Sequence, residues 1–440
     1  VAVDESPADG RVLIASSGGP LTAEPSWSRY DNLSACRCFG FDWNRGRQSE
    51  FDQTNTGTAR VYFHDRDGTF SPDTFIGSQI MLQLFNPVSE AWQPVFRGHI
   101  DDIHNTPSPG APTLTDLQVD CVDILDYLAG VKVVPGVFGD TPPPKMAGIV
   151  FYEDGPVNDR INDLGTDAGL APSMMNIFEP VTDVLEAVLD PDDDVLSAMR
   201  AAADAEFPGI GFLFADRFGR LVFHGRFARF DPEGTAFDTS WRFERWEAAT
   251  REDVTAGVAQ IREFQFNRPR TRIINSYVAW PELTELHKPF PQKKIAATQT
   301  VTDGASIAAY GYRGREAPAL QIKQNHVNFN TGAEECALFA EYYVANYAEP
   351  RKNIERITFK SIHPDDTRAA DVWRLMVRID ISDAMQLTVD EAGLTDEEFF
   401  VEGISGQCRV GPPEYDFVTV TPNLSPGAYY NAFDMFEEGT

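Results

Sequence analysis

The 440-residue chain has no unbroken apolar stretch of the ~18 residues that a helix needs to cross a bilayer core, so no segment reads as a membrane-spanning helix. Cysteine is scarce: only Cys36, Cys38, Cys121, Cys336 and Cys408. An odd count, mostly isolated among apolar neighbours, is no disulfide framework, and a chain of this size needs none. Cys36 and Cys38 fall on one face of a strand, poor geometry for a mutual bridge. Mostly buried, free thiols are expected. Positive charge is also short: 37 Lys and Arg stand against 67 Asp and Glu, a formal net charge of −30. Such a surface repels a phosphate backbone and argues against a nucleic-acid grip. The first ten residues, Val1 to Gly10, lack the basic start and apolar run of a secretory leader, so synthesis in a cytoplasm is expected.

Catalytic signatures are missing as well. No G-x-x-x-x-G-K-[ST], G-x-G-x-x-G or H-E-x-x-H occurs, so neither a phosphate cradle nor a zinc-binding helix is announced. Gly403-Ile404-Ser405-Gly406 is one residue short of a nucleophile elbow. Asp65-x-Asp67-Gly68 has part of a calcium loop, but Phe63 takes the first acidic place and no Glu follows at the right distance. A tight turn is the expectation there, Asp bonding its own backbone and Gly supplying positive φ. Asp192-Asp193-Asp194 reads as a helix N-cap cluster before Val195, with cation binding as the alternative. The seven histidines, His64, His99, His104, His224, His287, His326 and His363, are dispersed. His99 and His104, five apart at a strand and its end, should point to opposite faces. Among 67 acidic residues no carboxylate pair for glycoside hydrolysis stands out, since separation in space decides that chemistry. Asn32-Leu33-Ser34 and Asn423-Leu424-Ser425 match glycosylation sequons but mean little without a leader. Arg262, Arg268, Arg270 and Arg272 cluster modestly, with Phe264 and Phe266 beside them at strand period. A strand with one charged and one core face explains them, with a nucleic-acid face or pairing across a subunit interface as alternatives. No catalytic, cofactor-binding or metal-ligating residue is therefore expected, no cofactor, and no enzyme.

What the sequence does hold is strand after strand. Gly (33) and Pro (30) punctuate short aromatic-rich runs, and Phe alone counts 31, which favours a β-dominated protein. Residues 1–25 read as an arm. From 26 to 135, alternating runs such as Ala35 to Trp43, Gly57 to His64, Gln79 to Phe85, Val95 to Ile103 and Leu114 to Val122 make a small barrel or sandwich. Asp120 and Asp123 then open a short helix with Ile124, Leu125 and Leu128 on one side. Residues 136–180, with Thr141-Pro142-Pro143-Pro144, suit an irregular excursion. Residues 181–250 form a small α+β unit: helical turns over Val181 to Leu189, an Ala-rich helix over Val195 to Glu206, and a hairpin over Gly211 to Phe223. Residues 251–410 return to β, with strands over Gln260 to Phe266, Arg272 to Trp280, Ile295 to Thr302, Ile354 to Lys360, Val372 to Ile381 and Phe399 to Gln407. One helix sits among them, opened by the capping box Thr331-Gly332-Ala333-Glu334, with Phe339, Tyr343 and Tyr347 on one face. Residues 411–440 form a loose, Pro-rich, acidic tail. The fold class is thus mainly β with an α+β insertion.

A resemblance sharpens this. Arg47-Gln48-Ser49-Glu50-Phe51-Asp52, then Gly57-Thr58-Ala59-Arg60-Val61, Asp65-Arg66-Asp67-Gly68-Thr69-Phe70-Ser71-Pro72 and Phe96-Arg97-Gly98-His99-Ile100-Asp101 resemble minor tail proteins of long-tailed (siphovirus) actinobacterial phages. Thr69 and Ser71 depart from the family's usual Arg and Asp. The sharp match spans residues 45–103, and a weaker likeness of layout runs to about 410. The resemblance implies a baseplate-hub-like protein at the tail tip of the virion. It implies two tube-like β-barrel domains, 26–135 and 251–410, each with a packing helix, flanking the α+β unit. It implies a homotrimer contacting the distal tail protein, the tape measure protein and other minor tail or fibre proteins, opening for DNA ejection. DNA would pass through the lumen without specific binding, for which an acidic wall would serve; plain solubility or salt adaptation is the simpler account of the charge. A hexameric distal tail ring, or a receptor-binding or glycan-cleaving tip protein, is the alternative.

Overall fold

The computed structural model describes residues 10–15, 25–30, 36–65, 72–86, 89–107, 115–133, 151–152, 155–177, 184–185, 188–189, 194–206, 211–225, 261–267, 270–285, 292–295, 298–318, 320–322, 332–350, 353–361, 369–389, 394–409 and 417–426. Seven strands come first: β1 (Gly10–Ala15), β2 (Trp27–Arg29), β3 (Cys36–Gly46), β4 (Asn55–Asp65), β5 (Gln79–Asn86), β6 (Ala91–Pro107) and β7 (Thr115–Val122). They belong to one 12-stranded sheet with Ile261–Asn267, Asn353–Lys360, Ala384–Val389, Leu394–Arg409 and Phe417–Pro426. The order runs Ile261–Asn267, Asn353–Lys360, Phe417–Pro426, Leu394–Arg409, β3, β4, β7, β6, β5, β1, β2, with Ala384–Val389 paired to Leu394–Arg409 off this path. The protein is mainly β, as the sequence predicts.

The two β-rich stretches meet at one seam. β3 pairs antiparallel with Leu394–Arg409, from Gly46 opposite Gly403 to Gly40 opposite Arg409. Small residues make the approach possible: a Cβ on Gly406 would lie 2.2 Å from the Trp43 ring. Gly46 ends β3 at φ +84°, a conformation that other residues resist.

Period-two alternation gives the sheet one dry face. In β4, Ala59, Val61 and Phe63 are buried while Arg60, Tyr62 and His64 stand opposite. Ile80, Leu82 and Leu84 of β5 join the same core, as do Phe399, Val401 and Ile404. The helix Ala369–Arg378 touches β5, β6 and Asn353–Lys360, strands far apart in the order, so the sheet curls around it. A second core gathers the helices Ile124–Gly130, Val157–Asp167, Val195–Asp204 and Gly332–Tyr347. The hairpin of Phe212–Ala215 and Leu221–His224 separates the two. Phe212, Phe214 and Val222 face the first core; Leu213, Ala215, Leu221 and Phe223 face the second. Its turn has Gly219 at φ +73°.

Several local expectations are met. Asp123 caps the helix Ile124–Gly130 by accepting from the Leu125 N–H, and Ile124, Leu125 and Leu128 are buried. Asp194 caps Val195–Asp204, accepting from the Ser197 N–H at 2.8 Å. Cys336, Phe339, Tyr343 and Tyr347 line one buried side of Gly332–Tyr347. Thr331, the Thr of the capping box, the tight turn after Asp65, Asp192 and Asp193, and Pro142 to Pro144 lie outside the described residues. Cys38, Cys121, Cys336 and Cys408 are buried free thiols, and burial pushes Cys336 up to about 12.

Others are corrected. The tail 411–440, expected to be loose, supplies the strand Phe417–Pro426 inside the sheet, with Val418, Val420 and Leu424 buried in the first core, and the arm 1–25 supplies β1, with Val12 and Ile14 buried there. The stretch 136–180, expected as an irregular excursion, holds the helix Val157–Asp167 and the strand Met175–Ile177. Val157, Ile161 and Leu164 supply a sparse helical stripe that the surrounding Asp, Asn and Gly obscure. Val181 to Leu189, expected as helical turns, contains two short strands, Val184–Leu185 and Val188–Leu189, paired with Gly155–Pro156 and Phe151–Tyr152. Cross-strand pairing there overrides local propensity. Val372 to Ile381, expected as a strand, is mostly helix, because Val372, Leu375 and Met376 recur at helical spacing on the core side.

Candidate functional site

Three regions concentrate polar chemistry. The first is the sheet face opposite the first core. Arg60 and Asp120 pair at 3.2 Å across β4 and β7, and His104 reaches Asp120 at 3.1 Å from β6. His64 and Asp116 meet at 2.5 Å. The Tyr62 hydroxyl donates to Asp42 at 2.9 Å, and its pKa is raised first by burial and then by that bond. Arg409, across the seam, lies over the Tyr62 ring at 5.1 Å. The face is charge-paired, not uniformly acidic. A bulge between Ile100 and Asp102 lets both Ile100 and Ile103 face the core. It also corrects the expectation for the two histidines, which fall together on the side away from the core.

The second region lies at the end of the seam. Arg47 Nε donates to Glu402 Oε2 at 2.6 Å, both side chains essentially dry. Glu402 also accepts from the Ser425 hydroxyl, and the Arg47 guanidinium stacks on Phe212 at 4.1 Å. Arg45 binds Asp380 at 2.8 Å, and Arg272 binds Glu50 at 3.1 Å. Burial raises the Glu50 carboxyl, with Arg272 pulling the other way. Asp123 accepts from the Gly57 and Leu125 N–H groups at 2.7 and 2.9 Å, yet burial pushes it up to about 7. Arg272 is thus satisfied within its own chain, and Arg270 donates to the Tyr310 carbonyl at 2.5 Å. The side chains of Arg262, Phe264, Phe266 and Arg268 lie outside the described residues.

The third region is a cleft of about 320 Å³ where the loop after β3, the helix Val195–Asp204, the hairpin and the strand Ser276–Ala279 converge. Asp204, Tyr277 and Arg315 border it. Burial raises Asp204 to about 7, against the lowering pull of Arg200 and Arg47. The Arg315 guanidinium rests on Phe51 at 4.3 Å. Nothing in the linear sequence singles these residues out, because they come from separate elements and form no motif. A further cleft of about 350 Å³ has Arg217, Arg220, Asp216 and Asp380 on its walls. There Arg217 donates to the Val377 and Arg378 carbonyls at 2.8 and 3.0 Å, closing the end of the helix Ala369–Arg378. Among the described residues no three His, Cys, Asp or Glu side chains assemble as a metal site. His287, His326 and His363 lie outside them.

No family model matches the chain. No curated protein matches it either. Among solved structures, the tail protein from Neisseria meningitidis MC58 superposes with a TM-score of 0.54 at 12% identity, covering 96% of this chain and 98% of that one. The two share a fold over nearly their whole lengths. The E. coli c3393 protein, a component of the type VI secretion system with structural similarity to the T4 bacteriophage tail proteins gp27 and gp5, overlaps with a TM-score of 0.39 at 8% identity, over 90% of this chain and 75% of that one.

Proposed function

We propose that the chain is a structural protein of a phage tail, a trimeric hub at the distal end of the tail tube. The observation that carries this reading is the seam: β3 and Leu394–Arg409 join two β-rich stretches into one sheet. Three such chains around an axis would present six β units to a six-fold tube. The motif resemblance over residues 45–103 and the fold shared with a tail protein support the same reading. In this reading 26–135 and 251–410 are the two tube domains, 181–250 is the unit inserted between them, and the work is mechanical, without catalysis. The distal tail protein, the tape measure protein and other minor tail or fibre proteins are the partners, and the trimer opens to release DNA.

Cryo-EM of the intact tail tip tests this. Three copies in a pseudo-six-fold ring around the axis are expected. Six equivalent copies would replace the hub with a distal tail ring. Copies placed off the axis would overturn both.

A further inference from the structure

The cleft beside Val195–Asp204 differs from the other polar regions in one respect: three of its polar groups have no hydrogen-bond partner among the described residues. At the seam and on the polar face, the ion pairs discussed satisfy one another, and Arg409 rests on the Tyr62 ring. Among the described residues, the Asp204 carboxylate, the Tyr277 hydroxyl and the Arg315 guanidinium make no hydrogen bond. They are nonetheless neighbours, since the fields of both Arg315 and Asp204 act on the Tyr277 phenol. Tyr277 is buried and its ring stacks on Tyr343 at 4.8 Å, which fixes where its hydroxyl sits. Asp204 is half-buried and Arg315 exposed, so water reaches the cleft, and a ligand entering it would exchange that water's hydrogen bonds for its own.

The chemistry of the wall selects the ligand. Three cations (Arg47, Arg200, Arg315) and three carboxylates (Asp52, Asp204, Glu316) border the cleft, so their formal charges cancel. An anion would meet Asp204 and Glu316; a cation would meet Arg200 and Arg315. A neutral ligand avoids both. Tyr277 both donates and accepts, Asp204 accepts when ionised and donates when protonated, and Arg315 only donates. Hydroxyl groups, each a donor and an acceptor, match that set. The volume lies at the small end of the roughly 300–1,000 Å³ typical of ligand sites, room for one or two sugar rings. We propose that this cleft is a saccharide-binding site, with Asp204 and Tyr277 hydrogen-bonding the ring hydroxyls and Arg315 donating from the rim. The inference stands on the cleft alone and does not depend on the hub reading.

The test uses the purified full chain. D-Glucose, D-galactose, D-mannose, L-arabinose and N-acetylglucosamine are each titrated by saturation-transfer difference NMR. At least one is expected to bind saturably, and Asp204→Ala and Arg315→Ala to weaken it at least about tenfold with unchanged circular dichroism. Tyr277→Phe keeps the ring stack and removes only the hydroxyl, so its weakening separates recognition from folding. The proposal is overturned if none of the five sugars saturates, if all three variants bind like the parent, or if inorganic phosphate or a lysine dipeptide occupies the cleft in their place.

Discussion

Arg47 and Glu402 at the seam, and Arg60 and Asp120 on the polar face, are the same chemistry in two media. The first pair meets at 2.6 Å with side chains 2% and 0% exposed; the second meets at 3.2 Å with 58% and 26% exposed. Water screens the exposed pair, while the buried pair keeps its attraction but has lost its hydration. A buried pair is therefore weak support for net stability and strong support for a single arrangement. Here the arrangement is the register of the seam. The Arg47 N–H also donates to the Glu402 carbonyl at 2.9 Å, and Asn423 donates to the Arg47 carbonyl at 3.3 Å. A one-residue slip would strand two charges in the core, so the ion pair locks the register on which the continuous sheet depends.

The largest effect should come from breaking that lock on one side. Glu402→Ala leaves Arg47 charged and dry and takes the carboxylate from Ser425, and is expected to cost about 3–5 kcal/mol in urea unfolding. Replacing both partners, Arg47→Met with Glu402→Leu, should recover most of the loss. A double variant as unstable as the single would mean that the pair contributes attraction and not merely the avoidance of an orphan charge.

Local chemistry makes much of the fold legible in the amino-acid sequence. The alternation of Ala59, Val61 and Phe63, the spacing of Phe339, Tyr343 and Tyr347, and the caps at Asp123 and Asp194 are all decided within a few residues. The seam is not of that kind: Arg47 and Glu402 are 355 positions apart, and nothing in either strand names its partner. The helix Ala369–Arg378 is hard to read because Val372, Leu375 and Met376 sit in a run whose β-branched residues also suit a strand. The cleft escapes a linear reading for the same reason as the seam. Asp204 ends a helix, Tyr277 lies in a strand and Arg315 in another, and only packing brings them together.

Packing at the seam gives the next effect. Gly406→Ala would set a Cβ 2.2 Å from the Trp43 ring, so the ring must move or the strands must part. A loss of about 1–3 kcal/mol is expected, read as a lower melting temperature with reduced Trp emission anisotropy. No loss would mean that the seam is looser than the ion pair implies.

Asp204 should show a smaller effect with a defined sign. Its folded pKa of about 7 exceeds its ordinary 3.8, so between these values the folded state binds more protons than the unfolded state. Stability from this group is therefore highest below about 4 and declines as pH rises toward 7. Asp204→Asn should leave the melting temperature at pH 4 almost unchanged and raise it at pH 8. A variant equally or less stable than the parent at pH 8 would show that Asp204 is not penalised by burial.

The smallest effect belongs to the exposed pair, and it bears on function. A double-mutant cycle of Arg60→Ala and Asp120→Asn in the isolated chain should give a coupling of no more than about 1 kcal/mol, shrinking as salt is added. In the tail assembly proposed above, two outcomes separate. A polar face that lines a water-filled channel keeps its screening, so the coupling stays small. A face covered by another protein loses water, and the coupling should rise toward that of a buried pair. The cycle, repeated on assembled and isolated protein, thus asks whether the face opposite the core is a lumen wall or a contact surface, and a large coupling in the assembly would count against this face as the proposed lumen wall.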